Sequence, residues 1–264
     1  MRIYRRIKKY FKELFGYQIT LDINKLPSLG LFYPKNFNIT IRKPSIEEVV
    51  KFEHVYDKND IVSSVKNIRK FVFQCTSIEG YVPYDIISMD LLFIFLKLVK
   101  LYTKVPVIVH YYDSEGVLQQ IFLTEDNFNY AKIPDDLMVC YDSKERNFNF
   151  NGFRYSLPTI GVYTSLDEFV NDKVSKGMDT LEKYKNLEYN FIYCLSKRNS
   201  LTVSEIDNLI DVFNEDIEPD VKKTNEDIIA KFNTLFKYSL KNDKYVIGIN
   251  NLDLTNIFTK IGRT

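Results

Sequence analysis

Histidine is the side chain that most often serves as a general base or metal ligand near neutral pH. The chain has two histidines, and neither lies in a pattern that indicates catalysis. His54 is close to Glu53 and Asp57 in a segment with helical spacing, which is typical of a solvated histidine. His110 lies in a run with strand periodicity, without an obvious carboxylate or cysteine partner. A residue distant in sequence could still meet either histidine in the fold.

Thiols and paired carboxylates give equally little indication of chemistry. The three cysteines, Cys75, Cys140 and Cys194, are widely spaced and form no CxxC pair, so neither a disulfide framework nor a zinc knuckle is predicted. Buried free thiols in a reducing compartment are the better interpretation. Asp207 and Asp211 lie one helical turn apart and could hold a divalent ion, but this spacing is common on solvated helices.

Sequence motifs for phosphate binding and for nucleophilic catalysis are also absent. The chain contains no GxSxG, GxxxxGK[ST] or GxGxxG motif, and only 9 of its 264 residues are glycine. We therefore expect no catalytic residues, no metal and no cofactor. A cell-wall hydrolase with carboxylates scattered over the fold remains a lesser alternative, because such pairs are recognised only by geometry.

The charge of the chain is small overall and unevenly distributed. The formal net charge is +1, but residues 1–16 carry six bases and one acid, and residues 203–220 carry seven acids and no base. These two segments are interpreted either as solvated faces or as complementary contact surfaces between subunits. The most apolar stretch, residues 86–102, is interrupted by Asp90, Lys97 and Lys100, so it predicts a buried helix and no membrane partner.

The elements that would position these residues begin with an amphipathic helix over residues 1–16. One face of it is apolar and the other is basic. Docking on the body or on a neighbouring subunit is the favoured interpretation. An anionic membrane, a nucleic acid and, more weakly, a mitochondrial presequence are the alternatives.

An α+β domain is predicted over residues 17–160. Alternating Ile19, Leu21 and Ile23, and then Ile39 and Ile41, predict two strands with one buried face. Between them, the apolar loop of residues 26–34 either folds back on the core or offers side chains to a partner. A helical block follows, opened by a Ser45/Glu48 capping box, and hairpins are predicted over residues 105–123 and 137–155.

A mainly helical region is predicted over residues 161–264. Its start signals are capping boxes at Ser165/Glu168 and Thr202/Glu205, and a last long helix is predicted from Thr224. The expected fold class is therefore α+β, with short β-hairpins packed against a helical block and followed by a mainly helical C-terminal region.

Several segments resemble the baseplate hub and hub-assembly proteins of T4-like contractile-tailed bacteriophages. Residues 26–34 read LPSLGLFYP and are similar to an "LPSxGxxYP" opening of that family, and residues 80–85 read GYVPYD, similar to "GYxPxD". The resemblance covers roughly residues 20–125. Relatives carry paired cysteines in the hairpin corresponding to residues 109–120, and this chain has none there, so a zinc-knuckle role is not carried over.

The resemblance implies a non-catalytic structural or assembly protein of the virion tail baseplate, made in the host cytoplasm and present in several copies. Its expected partners are other tail or baseplate proteins, and nucleic acid bound through the basic helix is the alternative. The candidate partner-binding residues are Arg2, Arg5, Arg6, Lys8, Lys9, Leu29, Leu31, Phe32 and Tyr33.

Overall fold

The computed structural model describes residues 17–55, 61–103, 107–112, 115–123, 128–130, 135–150 and 153–177. From the rest of the chain it describes residues 202, 204–208, 223, 227, 230, 238–240, 246–247 and 258. These residues form helices and small antiparallel sheets, so the predicted α+β class is confirmed. The predicted basic helix of residues 1–16 lies outside the described residues.

The first sheet contains strands from two distant parts of the chain. Strands β1 (Gln18–Thr20), β2 (Ile39–Arg42) and β3 (Thr76–Ile78) pair antiparallel in the order β1-β2-β3. Ile39 and Ile41 are fully buried, as the alternation predicts. The prediction for the first strand is wrong in part, because the strand stops at Thr20 and Ile19 is 36% exposed.

Three helices form the predicted helical block: α1 (Ile46–Val55), α2 (Ile61–Cys75) and α3 (Leu91–Thr103). The capping box at the start of α1 is confirmed, since the Ser45 N–H donates to Glu48 Oε2 at 2.8 Å and the Glu48 N–H donates to Ser45 Oγ at 3.2 Å. Helix α3 begins later than the apolar run, because residues 83–85 and 88–90 form two 3-10 turns first.

Two ribbon-like sheets account for the predicted hairpins. Strands β4 (Val107–Tyr112) and β5 (Leu118–Leu123) pair antiparallel, with Gly116 in the turn at φ +76°. After β6 (Phe128–Tyr130) and the short helix α4 (Asp135–Met138), strands β7 (Tyr141–Asp142), β8 (Asn147–Phe150) and β9 (Phe153–Tyr155) form a second small sheet.

Helix α5 (Ile160–Ser175) begins earlier than predicted. Thr159 caps it, because Thr159 Oγ1 accepts from the Val162 N–H at 3.3 Å. The capping box predicted at Ser165 is wrong, since Ser165 lies inside the helix and is buried. The second predicted box is confirmed: the Thr202 N–H donates to Glu205 Oε2 at 2.9 Å, ahead of the helical residues 204–208.

The C-terminal region also contributes strands that the sequence did not predict. Strands β10 (Tyr238–Leu240) and β11 (Val246–Ile247) join β6 in a sheet of order β11-β10-β6. Residues 223, 227 and 230 are helical, and the remainder of the helix predicted from Thr224 lies outside the described residues.

A single hydrophobic core joins the two predicted regions. Leu166 and Phe169 of α5 belong to the same buried cluster as the sheet and the helical block. The Ser88 N–H donates to the Pro158 carbonyl at 2.9 Å, and the Ile160 N–H donates to the Ile86 carbonyl at 2.7 Å. Among the described residues, these contacts link α5 to the sheet and to the helical block.

An aromatic cluster closes this core with a side chain from far along the chain. The ring of Phe258 lies 5.9 Å from that of Phe52, 5.2 Å from that of Phe71 and 5.4 Å from that of Tyr102, between centroids. The Phe258 N–H donates to Glu53 Oε1 at 3.2 Å, across 205 positions of sequence.

Candidate contact site

The loop of residues 26–34 is a compact series of turns that lies against the core. The Leu29 N–H donates to the Leu26 carbonyl at 2.8 Å, the Leu31 N–H to the Ser28 carbonyl at 3.2 Å and the Tyr33 N–H to the Gly30 carbonyl at 3.2 Å. Leu26 and Ser28 are fully buried. Of the two interpretations of this apolar loop, the structure therefore favours folding back on the core.

A buried carboxylate fastens the loop to the start of helix α3. Asp90 Oδ1 accepts from the Ser28 N–H at 2.8 Å, and Asp90 Oδ2 accepts from Ser28 Oγ at 2.7 Å and from the Tyr33 hydroxyl at 2.6 Å. The Tyr33 oxygen in turn accepts from the Ile87 N–H at 3.0 Å. Because Asp90 is fully buried, these donors replace the water that its carboxylate loses on folding.

The electrostatics of this network follow from its burial. Loss of solvent raises the pKa of Asp90 to about 6, against the three donors from Ser28 and Tyr33, which lower it. Burial, followed by the adjacent Asp90 carboxylate, raises the pKa of Tyr33 well above its usual value. At neutral pH the network therefore holds a carboxylate and a protonated phenol, in which the phenol donates.

Leu29 projects from the outer side of this fastened loop. Its φ is +54°, a left-handed conformation that branched and bulky L-residues rarely adopt, and its side chain is 45% exposed. Gly30 follows at φ +72°, where an added Cβ would lie 3.3 Å from Ile23 Cγ1. The cost of holding Leu29 in this region is about 1–2 kcal/mol, and the buried hydrogen bonds on either side sustain it.

The structure separates the predicted contact residues into different environments. Leu29 is exposed, and Leu31 is half-buried with its carbonyl accepting from the Tyr141 hydroxyl. Phe32 packs on Tyr141 and Phe148 at centroid distances of 6.0 and 5.7 Å.

The prediction that Phe32 and Tyr33 present their side chains to a partner is corrected. Both are buried, because Phe32 fills the space under the β7–β9 sheet and Tyr33 completes the Asp90 network. The basic candidates Arg2, Arg5, Arg6, Lys8 and Lys9 lie outside the described residues.

The β4–β5 ribbon presents a second exposed apolar surface. Leu118 and Phe122 lie on one face of β5 and are each 56% exposed, and Val117 beside them is 51% exposed. Ile108 stands opposite Phe122 in the register and is half-buried. Exposed apolar residues grouped in this way mark interaction surfaces more often than isolated ones do.

A groove of about 690 Å³ lies between the β1–β2 pair and helix α3. Ile19, Leu21, Ile41 and Leu101 supply its apolar surface. Ile19 and Ile41 are cross-strand partners, so they lie on the same face of the sheet. This face is the core-facing one, and Ile41 is fully buried on it while Ile19 remains partly exposed.

A smaller pocket of about 340 Å³ lies between helices α2 and α5. At its base, Arg69 and Asp167 form an ion pair whose side chains are 7% and 8% exposed. The Arg69 guanidinium also lies 5.6 Å from the centre of the Tyr163 ring. This pair joins the two helices across a sequence separation of 98 residues.

Metal-ligating side chains do not converge in the part of the chain that the structure describes. It contains no cluster of three or more histidine, cysteine, aspartate or glutamate side chains that could hold a metal ion. Burial raises the pKa of the Cys75 thiol to about 12, which leaves it protonated and a poor nucleophile. Among the described helices, none has the length and apolar character needed to span a membrane.

Sequence reasoning missed the role of Asp90 and the contact from Tyr141. In the sequence, Asp90 is visible only as an interruption of an apolar run, although an acid in such a run has to find donors once it is buried. Those donors lie 57 and 62 positions away, beyond the reach of any local pattern.

Comparison of the chain with protein-family models, with curated proteins and with solved structures found no match in any of the three.

Proposed function

We propose that this protein is a structural or assembly component of a phage tail baseplate, at the hub or inner baseplate, and that it acts through protein contacts. The observation that carries the proposal is Leu29, an exposed apolar side chain held in a strained conformation above a buried hydrogen-bond network. Strain of this kind persists where the surrounding structure enforces it, and it is concentrated at binding sites.

The rigidity of the loop supports a role in recognition. An apolar side chain on a fastened loop loses little conformational freedom when a partner covers it, so more of the contact energy appears as affinity. The exposed Leu118 and Phe122 on the β4–β5 ribbon offer a second surface of the same character. A protein that joins several neighbours in an assembly needs more than one such surface.

The family assignment within this proposal rests on how the two resembling segments meet. The Tyr33 hydroxyl of LPSLGLFYP accepts from the Ile87 N–H, which lies two residues beyond GYVPYD. Pro83 opens a 3-10 turn in the second segment, and Asp85 Oδ2 accepts from the Val82 N–H at 3.0 Å. A side chain of the first segment therefore binds the backbone just beyond the second, which supports treating the two segments as parts of one family fold.

The proposed location in the tail is tested by mass spectrometry, which compares purified virions with lysates of the infected cells that make the chain. Tryptic peptides of the chain in the virion, or in isolated tail intermediates, are expected at a fixed ratio to known tail proteins. Peptides in the particle indicate a permanent component, and peptides in intermediates alone indicate an assembly factor. Absence from both would reject the proposed function.

The contact role is tested at Leu29 with a substitution that does not weaken the fold. Leu29→Gly removes the side chain and also relieves the left-handed strain, so the free energy of unfolding should rise by about 1 kcal/mol. Incorporation into tails should nevertheless fall about tenfold or more, if the side chain fills a partner pocket.

Arg146 provides the matched control, because it is the other described non-glycine residue at positive φ, at +55°. Arg146→Gly relieves the same kind of strain in the turn before β8, and incorporation should not change. Normal incorporation of Leu29→Gly would show that Leu29 is not a contact residue, whatever the location of the protein.

A further inference from the structure

The pocket between helices α2 and α5 contains a buried arginine whose hydrogen bonding is incomplete. Arg69 lines the pocket and donates to Asp167, and its side chain is 7% exposed. Its Nε is buried, and the described part of the chain supplies no acceptor for that N–H. Thr76, Asp85 and Ser88 also have a buried atom without a partner, but none of these three lines the pocket. Because a buried donor without an acceptor is unfavourable, the arginine favours a ligand that brings an acceptor atom.

Two lysines on the same face of α2 add positive charge to this pocket. Lys66 and Lys70 are four positions apart, so they are neighbours on the helix surface, where like charges repel. Over the described ranges, neither ammonium group forms an ion pair. Since Asp167 already pairs with Arg69, the acid that remains to oppose the lysines is the exposed Glu168. The described lining therefore has three bases and two acids, and one negative charge on a ligand would balance it.

One wall of the pocket is aromatic. Phe73 and Tyr84 line it with rings whose centroids are 4.5 Å apart, and both side chains are half-buried. Aromatic rings pack favourably on one another at such distances, so a planar apolar group can add to this pair. The volume of about 340 Å³ lies at the lower end of the range for small-molecule sites, which is about 300–1,000 Å³. The pocket therefore suits a small molecule with a ring and one negative charge.

We propose that the pocket between α2 and α5 binds a small aromatic carboxylate. Its carboxylate lies near the two lysines and the Arg69 guanidinium, and its ring packs on Phe73 and Tyr84. A carboxylate matches the single charge that the lining leaves unbalanced, and it accepts several hydrogen bonds at once. A phosphate ester carries about 1.5–2 negative charges at pH 7 and would exceed that balance. Because the ligand contacts both helices, its binding stabilises the packing of α5 on α2.

The probe for this site is phenylacetate, and its binding to the purified full chain is measured by a ligand-observed NMR titration. The expected dissociation constant is on the order of 1 mM, which is ordinary for a ligand of this size. Phenylacetamide has nearly the same shape without the charge, and acetate has the charge without the ring. We expect each of them to bind at least about 10-fold more weakly, because each loses one of the two kinds of contact.

Lysine variants locate the bound probe in the pocket. Lys66→Met with Lys70→Met keeps the aliphatic stems and removes both ammonium groups, so phenylacetate should bind at least about 10-fold more weakly. Lys66→Arg with Lys70→Arg keeps both charges and should retain the affinity within about threefold. The control pair, Lys35→Met with Lys51→Met, makes the same change in net charge as the methionine pair, at exposed lysines outside the pocket, and should bind like the wild type.

Guanidinium unfolding of each variant checks that the fold is kept. If the methionine pair is unstable, Lys70→Met alone replaces it, because Lys70 is exposed and its substitution should leave the fold intact. This single variant should still weaken the binding of phenylacetate by about threefold or more.

Phenylacetate that does not bind saturably, at concentrations well above the expected constant, would overturn the proposal. Equal binding of phenylacetamide, or unchanged binding by the lysine-to-methionine variants of the pocket, would overturn it as well. Equal weakening by the control pair would show that net charge alone is responsible, and the pocket would be rejected. These outcomes are separate from the test of the proposed function, because binding by the purified chain does not depend on its presence in virion tails.

Discussion

Replacing Tyr33 by phenylalanine removes one oxygen atom from the centre of the network that fastens the 26–34 loop. The ring should keep its place, because it stacks on Phe37 with centroids 4.4 Å apart. Two groups lose a hydrogen bond: Asp90 Oδ2 loses one of its two donors, at 2.6 Å, and the Ile87 N–H loses its acceptor, at 3.0 Å.

The expected loss follows from these two contacts. A hydrogen bond to a charged group contributes about 1.5–3 kcal/mol, and a buried N–H without a partner costs about 1–3 kcal/mol. Since the two groups share one oxygen and the site can relax, we expect Tyr33→Phe to lower the free energy of unfolding by about 3–5 kcal/mol. Whole domains have about 5–15 kcal/mol in total, so the change is large.

Equilibrium unfolding in guanidinium chloride at pH 8, followed by circular dichroism, measures this loss as a shift of the midpoint. Tyr81→Phe is the matched control, because Tyr81 packs on the same Phe37 ring at 5.0 Å and is 39% exposed. The same atom is removed there from an exposed position, and the free energy of unfolding should change by less than about 0.5 kcal/mol.

A pH series tests the electrostatic part of the reasoning. Burial raises the pKa of Asp90 to about 6, above the value of about 3.9 in an unfolded chain. The folded protein therefore holds this proton more tightly, and the stability contributed by Asp90 is present below pH 4 and is lost as the pH rises through 6. Because Tyr33 donates to the ionised form, Tyr33→Phe should cost more at pH 8 than at pH 4.5.

A loss below about 1 kcal/mol at pH 8, equal to that of Tyr81→Phe, would refute the argument that the network fastens the loop. A loss of the expected size without any pH dependence would refute the assignment of Asp90 as the ionised acceptor.

Three further predictions concern other buried or half-buried groups. Arg69→Met should destabilise the fold by about 3–5 kcal/mol because Asp167 is left buried without its partner, and the double variant with Asp167→Leu should recover most of this loss in guanidinium unfolding. Cys75 should resist iodoacetamide at pH 8 in the folded protein, since its pKa is raised to about 12, and peptide mass mapping should find it modified only after unfolding. Hydrogen bonding from Arg42 holds the pKa of Glu48 at about 2, so the stability from Glu48 is present above pH 4.5 and is lost as the pH falls towards 2. Thermal unfolding of Glu48→Gln should show a weaker dependence on pH in that window than the wild type, and an equal dependence would contradict the assignment.

Local patterns predicted the elements whose determinants are close in sequence. The Ser45/Glu48 box marks the start of α1, and the Thr202/Glu205 box is formed as expected. The same type of pattern at Ser165 does not mark a helix start. Thr159 caps the helix six residues earlier, and the buried face of α5 continues past Ser165.

The loop of residues 26–34 shows where sequence reasoning reached its limit. Its prolines and glycine predicted an irregular apolar segment, and two interpretations were equally consistent with that pattern. Asp90 decides between them, but it lies 62 positions from Ser28, and its burial depends on packing that no window of sequence contains. The groove between the β1–β2 pair and helix α3 was missed for the same reason, because it combines residues from two strands and a helix.

The placement of Phe258 has a consequence for how the protein is made. The ring fits among aromatic side chains of α1, α2 and α3, and its N–H binds Glu53 across 205 positions. At synthesis rates of roughly 5–20 residues per second, those positions take about 10–40 s to translate. During that time the nascent chain has no Phe258 to cover Phe52 and Phe71, so it exposes an aromatic surface that chaperones can bind. A chain truncated before residue 258 would keep this surface exposed.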